Sequence, residues 1–231
     1  MKYFTGKSWI MKNNETLQKN VQDAIKWEPL LQAAEIGVTV NDGVVTLTGI
    51  VDSYAKKYEA EDAAKKLAGV KAVVERIEVK YLGSIHKEDE EIAKEVLNAF
   101  KWNWKIPGEK ITVKVEDGWV TLTGTINWNY QKDAAKNAIK NLLGVKGVTN
   151  SITIESDIHN AVEKKEIEDA IDRNWSVNNQ DIQVKVSGSR VTLTGTVNSI
   201  YQKDEAQRMA WNAPGVWYVD NEIEYDYLLV D

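Results

Sequence analysis

The sequence predicts an α+β protein of three tandem small domains, each an α-β-β-α-β unit with two helices on one face of a three-stranded mixed sheet. Three observations support this prediction. The pentapeptide VTLTG occurs three times and ends at Gly49, Gly124 and Gly195. The surrounding residues repeat at offsets of 75 and then 71 positions, which is too long for a solenoid repeat and suits small domains. Within each copy, the apolar spacing changes from helical to alternating and back.

Each copy begins with a predicted amphipathic helix. In the first two copies apolar residues recur at helical spacing, at Leu17, Val21, Ala24 and Ile25 and at Ile92, Val96, Ala99 and Phe100. The third copy has a shorter stripe of Ile167, Ala170 and Ile171. Such a stripe is typical of a helix that packs one face against the rest of its domain.

A β-hairpin follows the helix. Ile36, Val38 and Val40 alternate with Gly37 and Thr39, which predicts a half-buried strand. The next residues read NDG and EDG in the first two copies, and they predict a tight hairpin because Gly adopts positive φ without strain. The third copy has SGS, which predicts a different tight turn at the same place.

VTLTG is the predicted second strand of the hairpin. Val45, Leu47, Gly49 and Val51 share one face by alternation, and the two Thr residues lie on the other. We expect Gly49, Gly124 and Gly195 to let a helix approach the sheet where a side chain would obstruct it. The motif is therefore interpreted as scaffold rather than as a site.

A second helix and a third strand complete the unit. Asp52, Asn127 and Asn198 directly follow the VTLTG strand, and we expect these structural residues to cap the second helix. The helix carries small residues at helical spacing, such as Ala60 and Ala64. It is expected to end at a glycine, which is Gly69, Gly144 or Gly215.

The predicted boundaries follow from the repeats. They are a leader at 1–13, a first domain at 14–81, a linker at 82–88, a second domain at 89–156, a linker at 157–162, a third domain at 163–226 and a tail at 227–231.

Composition argues against several classes of function. The formal net charge is −6, so nucleic acid is not an expected partner. The chain has no Cys, which excludes disulfides and thiolate metal sites. Neither Met1 nor Met11 begins a signal peptide, and this predicts a cytoplasmic protein; a periplasmic location is the alternative if an export signal has been removed.

The repeated pattern resembles a known family. The order V-x-V-x-D-G-x-V-T-L-T-G-x-V, then Asp or Asn, an Ala-rich helix and G-V-x-x-V-x-N-x-I is similar to the BON domain of bacterial osmotically inducible and nodulation proteins. The resemblance covers about residues 14 to 226 and implies a non-enzymatic, transport-associated protein of the osmotic stress response. Some relatives are similar to modules that bind anionic phospholipid, and one cytoplasmic relative senses potassium. Glu75 departs from the pattern where Asn150 and Asn221 stand.

No catalytic residue, cofactor or metal is predicted. His86 and His159 lie between copies at positions that are not equivalent, and neither has a second ligand at metal-site spacing. The acidic run from Glu88 to Glu91 has two interpretations: it attracts a cation, or it complements the dipole of the helix that begins there.

An aromatic and basic end of each unit is the candidate site for a ligand or lipid. The end of the first helix and the start of the second meet at one end of the sheet, because a hairpin is antiparallel. The first helices bring Trp27, Trp102, Trp104 and Trp175 to this end. The second helices bring Tyr54, Trp128, Tyr130 and Tyr201, together with an equivalent lysine in each copy, Lys57, Lys132 and Lys203.

Two interpretations of this end stay open. The rings and lysines bind an anionic or interfacial surface, or the rings close a small core while the lysines stay in water. Trp119 lies at the opposite end and on the polar face by alternation, or it packs on a neighbouring domain.

Three functions remain in consideration. The first is a non-catalytic, stress-related protein that associates with phospholipid headgroups or other envelope components, or with itself. The second is a cytoplasmic potassium-type cation sensor. The third is a chaperone-like or structural spacer that contacts a protein client.

Overall fold

The computed structural model describes residues 14–31, 36–81, 87–155, 165, 167–169, 182–213 and 215–225. The first domain contains α1 (Asn14–Trp27), β1 (Ile36–Asn41), β2 (Val44–Val51), α2 (Tyr54–Lys65) and β3 (Ala72–Val79). The second contains α3 (Asp89–Trp102), a 3₁₀ helix (Gly108–Lys110), β4 (Ile111–Glu116), β5 (Trp119–Ile126), α4 (Asn129–Ile139) and β6 (Gly147–Ile154). The third contains β7 (Ile182–Ser187), β8 (Arg190–Val197), α5 (Ile200–Asn212) and β9 (Tyr218–Tyr225).

The VTLTG strand is central in each of the three sheets. In the first sheet, Leu47 lies opposite Val38 of an antiparallel neighbour and opposite Glu75 of a parallel one. The same pairings recur in the other two sheets. A parallel pair needs a crossover connection, which the second helix of each unit supplies. The predicted α+β fold with mixed three-stranded sheets is confirmed.

Helices bury one face of each sheet. In the first domain, Val45 and Leu47 are fully buried in a cluster that includes Leu17 of α1. Ala60 and Ala64 of α2 are also inaccessible to solvent, because their small side chains let the helix lie close to the sheet. Burial of a large aliphatic side chain contributes about 1.5–3 kcal/mol relative to exposure, so these residues account for much of the stability of a small domain.

The hairpin turns differ as the sequence predicts. Asp42 and Gly43 have φ of 50° and 83°, and the equivalent residues of the second domain have similar values. Positive φ at both central residues is typical of a type I′ turn. In the third domain the turn residues are Gly188 and Ser189, and only Gly188 has positive φ, 61°. That pattern is typical of a type II′ turn.

The glycine of VTLTG is required for a different reason than predicted. Gly124 has φ of 141°, and a Cβ atom there would lie 2.1 Å from the carbonyl oxygen of Lys110. The close neighbour is therefore backbone where the short 3₁₀ helix leads into the adjacent strand, rather than one of the two α-helices that pack on the sheet. Gly49 and Gly195 have φ of 140° and 124°, so this conformation recurs in each sheet.

The second helix begins one residue later than predicted. The N-cap residues of α2 and α5 are Ser53 and Ser199, whose hydroxyl oxygens accept hydrogen bonds from the N–H groups of Lys56 and Gln202. Asp52 instead forms an ion pair with Lys56, with Nζ 2.9 Å from the carboxylate. Asp and Ser are both good capping residues, so sequence alone does not distinguish two that are adjacent.

The other two predicted caps also lie one residue before the observed N-cap. Trp128 is the N-cap of α4, and its N–H donates to Gln131 Oε1 at 3.2 Å. Asn127 accepts a hydrogen bond from Lys110 Nζ at 3.0 Å. Asn198 uses its backbone, because its N–H donates to the side chain of Gln202 at 2.9 Å.

The three domains pack head to tail through their second helices. Tyr54, the first residue of α2, is 8% exposed and belongs to the buried cluster of the second domain. Ile200, the equivalent residue of α5, packs against the core of the first domain. Helices α4 and α5 are also in contact, so each domain contacts both others.

Polar contacts reinforce the junction of the first and second domains. The hydroxyl of Tyr81 donates to the carbonyl oxygen of Val145 at 2.6 Å. Lys140 Nζ lies 3.7 Å from the carboxylate of Glu59 and 5.2 Å from the centroid of the Tyr58 ring. Residues of α2, α4 and α5 together line a polar depression where the domains meet.

We expect Gly124→Ala to lower the free energy of unfolding by about 1–3 kcal/mol or more, because a side chain at this φ is strained and its Cβ meets backbone. Urea unfolding followed by tryptophan fluorescence measures this. Gly108→Ala in the same domain is the control, since its Cβ would come no closer than 3.4 Å to a neighbour. Equal losses in both variants would contradict the role of Gly124.

Candidate functional site

The three equivalent lysines are tied to the third strand of their own domains. Lys57, Lys132 and Lys203 donate from Nζ to the carbonyl oxygens of Ile77, Ile152 and Ile223, at 3.0, 2.7 and 2.6 Å. This bond supplies the compensation that a cation near a helix N-terminus needs. Burial lowers the pKa of the Lys132 ammonium. The lysines therefore fasten helix to strand.

One position of the third strand completes this connection. In the second domain, Asn150 donates from its side-chain amide to the carbonyl oxygen of Lys132 at 2.9 Å and accepts from the N–H of Ile152. Asn221 makes the same pair of bonds in the third domain. Glu75 stands there in the first domain, where one carboxylate oxygen accepts from Ile77 N–H and the other lies 2.8 Å from Lys57 Nζ. Glu75 therefore forms an ion pair with the lysine side chain where Asn150 and Asn221 donate a hydrogen bond to the lysine carbonyl oxygen.

Most aromatic residues of the second helices contact other side chains of the protein. Tyr54 is buried against the second domain. Trp128 and Tyr130 stack with centroids 6.4 Å apart, and Tyr130 is exposed. Tyr201 lies 5.5 Å from the Nζ atom of Lys66, so it faces the first domain.

The tryptophans at the ends of the first helices are open to solvent. Trp102 and Trp104 are 86% and 85% exposed, and Trp27 of the first domain is 85% exposed. Lys101 and Lys105 flank the pair in sequence and are exposed as well. Lys105 Nζ lies 5.6 Å from the centroid of the Trp104 ring. We call the segment from Lys101 to Lys105 the Trp-Lys segment.

Trp119 lies at a domain boundary. Its indole N–H donates to Thr149 Oγ1 at 2.9 Å, and Lys57 Nζ of the first domain lies 5.8 Å from its ring centroid. Both interpretations of Trp119 from the sequence therefore hold: it lies on the polar face of its sheet, and it contacts a neighbouring domain.

The acidic run begins α3 and is engaged in local hydrogen bonds. The carboxylate of Asp89 accepts from the N–H groups of Asp117 and Gly118, both at 2.8 Å, which ties the helix start to the hairpin turn. Glu91 accepts from the N–H of Glu88 at 3.1 Å. Among the residues that the structure describes, no group of three His, Cys, Asp or Glu side chains is arranged to hold a metal ion.

Some sequence-based expectations lie outside the described residues. They concern Trp175, His86, His159, and the apolar positions Ala170 and Ile171 of the third copy. Ile167 of the same stripe is described and is fully buried in the third core.

Two carboxyl groups occupy equivalent positions at the domain junctions, where Asp133 is half-buried and Asp204 is exposed. Partial desolvation by the neighbouring helices raises the pKa of Asp133 and of Asp204 above the usual value for aspartate. Arg208 of α5 faces Asp133, and the Nδ2 atom of Asn129 donates to its carboxylate at 3.1 Å. The third equivalent residue is Tyr58, in which burial raises the pKa of the phenol to about 12.

Sequence reasoning missed the flanking lysines and the junction residues. The KWNWK sequence of the Trp-Lys segment could have indicated Lys101 and Lys105. The prediction named Lys132 instead, because an equivalent lysine is present in all three copies. Tyr58 and Lys136 carried no signal, because their contact joins two different domains: Lys136 Nζ lies 4.5 Å from the centroid of the Tyr58 ring.

Comparison with known sequences finds one family three times. The family model described as "BON domain" matches residues 13–81, 88–156 and 161–227. A curated relative, "Osmotically-inducible protein Y" of Escherichia coli (strain K12), is 28% identical over 144 residues, which cover 61% of this chain and 72% of the relative.

Solved structures with similarity include two of CdsD, a structural protein of the type III secretion system of Chlamydia trachomatis. Both are 16% identical to this chain, with TM-scores of 0.24 and 0.23. The first alignment covers 90% of this chain and 91% of that one, and the second, with the C-terminal domain, covers 93% and 99%. In the described part of the chain, no helix has the length and apolar character needed to cross a membrane.

We expect Asp204→Asn to change how stability depends on pH. The folded-state pKa of Asp204 is raised chiefly by desolvation; Lys65 and Lys203 oppose this rise, and Asp62 and Glu61 add smaller contributions to it. The folded state therefore binds a proton more tightly than the unfolded state does, and stability falls as pH rises through that raised pKa. The variant removes this decline, which urea unfolding between about pH 4 and 7 measures.

Asp52→Asn is the matched control. Its hydrogen bond with Lys56 lowers the pKa of Asp52, so this carboxylate contributes stability that is lost as pH falls. A wild-type curve that is unaltered by Asp204→Asn would show that this carboxyl group does not govern the pH dependence.

Proposed function

Because the chain belongs to the BON domain family, we propose that it is a non-catalytic, stress-related binding protein that associates with phospholipid headgroups through the Trp-Lys segment of its second domain. The name of its Escherichia coli relative, osmotically-inducible protein Y, supports a link to osmotic stress. Membership in the family covers most of the chain, so the proposal concerns the three repeats themselves rather than an added module.

The observation that carries this proposal is the exposure of Trp102 and Trp104. An indole ring has a large apolar surface and one N–H group, so it is poorly placed in water and well placed between water and hydrocarbon. These rings are 86% and 85% exposed, although most large apolar side chains of the same domain are buried. A surface that receives the rings would remove their apolar area from water.

The charges around the rings support an anionic surface. Lys101 and Lys105 lie on either side of the tryptophans, and each Lys near an anionic bilayer contributes about 1 kcal/mol. The net charge of −6 opposes approach of the whole chain to such a surface. Attraction therefore depends on the local segment, and it decays within about 8–10 Å at physiological salt.

Trp27 offers a weaker second contact in the first domain. It occupies the position equivalent to Trp102, is also 85% exposed, and follows the exposed Lys26. Only one tryptophan and one adjacent lysine are present there, so the second domain is the main contact of the proposal.

A structural or client-binding spacer is the second candidate function. The buried Tyr54 and the Tyr81 hydrogen bond favour it, because they fix the first domain against the second. A rigid arrangement would hold the Trp-Lys segment and any protein client at a constant separation. This role is compatible with lipid binding and differs from it in needing no exposed indole.

We expect Trp102→Ser with Trp104→Ser to weaken binding to anionic vesicles at least about tenfold, because the variant loses both rings that enter the interface. Flotation with phosphatidylglycerol-containing vesicles at low salt measures the bound fraction. Leu97→Ser is the control, since Leu97 is a 52% exposed apolar residue of the same helix, away from its end. No recovery of the wild-type protein, or equal recovery of both variants, would contradict the proposal.

We expect Lys101→Glu with Lys105→Glu to reduce binding to anionic vesicles and to leave the weaker binding to phosphatidylcholine vesicles nearly unchanged. The loss should shrink as salt is added, because the interaction is screened. Lys114→Glu with Lys185→Glu is the control: it changes the net charge equally on exposed strand positions. A loss of equal size in that control would assign the effect to net charge.

A further inference from the structure

Equivalent positions of the second helices differ in size at the three domain junctions. The first residue of the helix is Tyr54, Asn129 or Ile200, and the residue four positions later is Tyr58, Asp133 or Asp204. These positions point from one domain toward the next around the assembly. At the first junction, between the first and second domains, the helix contributes two phenol rings. At the second junction, between the second and third domains, it contributes an amide and a carboxyl group.

The two tyrosines fill the first junction. Their ring centroids are 6.4 Å apart, and Tyr58 packs against the core of the second domain. The Nζ atoms of Lys136 and Lys140 lie 4.5 and 5.2 Å from the centroid of the Tyr58 ring. Gln207 and Trp211 are the residues of α5 that correspond to these lysines.

The corresponding space at the second junction is open. A cleft of about 600 Å³ lies between the second and third domains, within the size range of small-ligand sites. Its lining includes Asn129, Asp133, Ile152, Gln207, Arg208 and Trp211. Gln207 and Trp211, which correspond to Lys136 and Lys140 of the first junction, line this cleft. No aromatic residue of the second domain is among its lining residues.

We propose that this cleft binds a single aromatic ring that carries a hydroxyl group, in the place that Tyr58 fills at the first junction. Ile154 and Trp211 supply apolar contact for the ring. Asn129 donates to Asp133 Oδ2 at 3.1 Å, which leaves the second carboxyl oxygen of Asp133 to accept from the ligand hydroxyl. Lys132 also lines the cleft, and one N–H of its ammonium is engaged by the carbonyl oxygen of Ile152 at 2.7 Å.

p-Cresol, the side chain of tyrosine without its backbone, is the probe. We expect saturable chemical-shift changes in ¹H–¹⁵N spectra of the full chain at the indole N–H of Trp211, assigned with Trp211→Phe, and at the side-chain amide of Gln207. Toluene should bind about threefold to tenfold more weakly, because it lacks the hydroxyl. Absence of saturable shifts up to the solubility limit of p-cresol would overturn the proposal.

Two variants test the correspondence between junctions. Asp133→Tyr places a ring in the cleft from the chain itself and should abolish p-cresol binding, while Tyr58→Ala should open a second site and raise the stoichiometry from one to two. If Asp133→Tyr does not fold, Trp211→Ala tests the same cleft and should weaken binding. Unchanged p-cresol binding in folded Asp133→Tyr or Trp211→Ala would overturn the assignment of the site.

The peptide acetyl-Gly-Tyr-Gly-amide distinguishes the sources of such a ring. Binding of both probes at Trp211 assigns the cleft to a tyrosine side chain of a partner, and binding of p-cresol alone assigns it to a free phenolic compound. Vesicle flotation is a separate measurement on a different surface, so failure of lipid binding leaves this result unaffected.

Discussion

The structure depends on the second helix of each repeat being shared between two domains. Its small residues, such as Ala60 and Ala64, let it lie on its own sheet, and its first residue enters the next domain. A lysine one turn into the helix fastens it to the third strand through a backbone carbonyl. Because one element serves both the domain core and the domain junction, a change that shifts the helix would disturb two domains together.

Local signals predicted most of the domain fold. Alternation in VTLTG and the glycine turns are decided within a few residues, so period and turn chemistry sufficed to predict the strands and the differing hairpins. The central glycine was predicted on the correct face, but the reason for glycine is its contact with the backbone of Lys110, which immediately precedes the neighbouring strand. The cap was misplaced by one residue because two good capping residues are adjacent.

The candidate site was less predictable, because the same residue type has different surroundings at one end of the domain. Trp102 and Trp128 both lie near that end, yet one is open to solvent and the other stacks on Tyr130. Equivalence among copies pointed to Lys132, although repetition at that position reflects a requirement of the fold. The lysines beside Trp102 and Trp104 are not common to all three copies, because Lys101 recurs only as Lys26 and Lys105 has no counterpart. The lysine that is common to all three copies therefore reports on architecture.

The head-to-tail junctions set the number of copies. The first domain docks on the second and the third docks on the first, so the path around the junctions returns to its start after three units. A chain with two such units would leave one helix start uncovered, and in the described part of the chain each second helix already faces another domain, so a fourth unit would have to displace one. Gene duplication could therefore lengthen this protein only by rebuilding a junction or by adding a separate body on a linker.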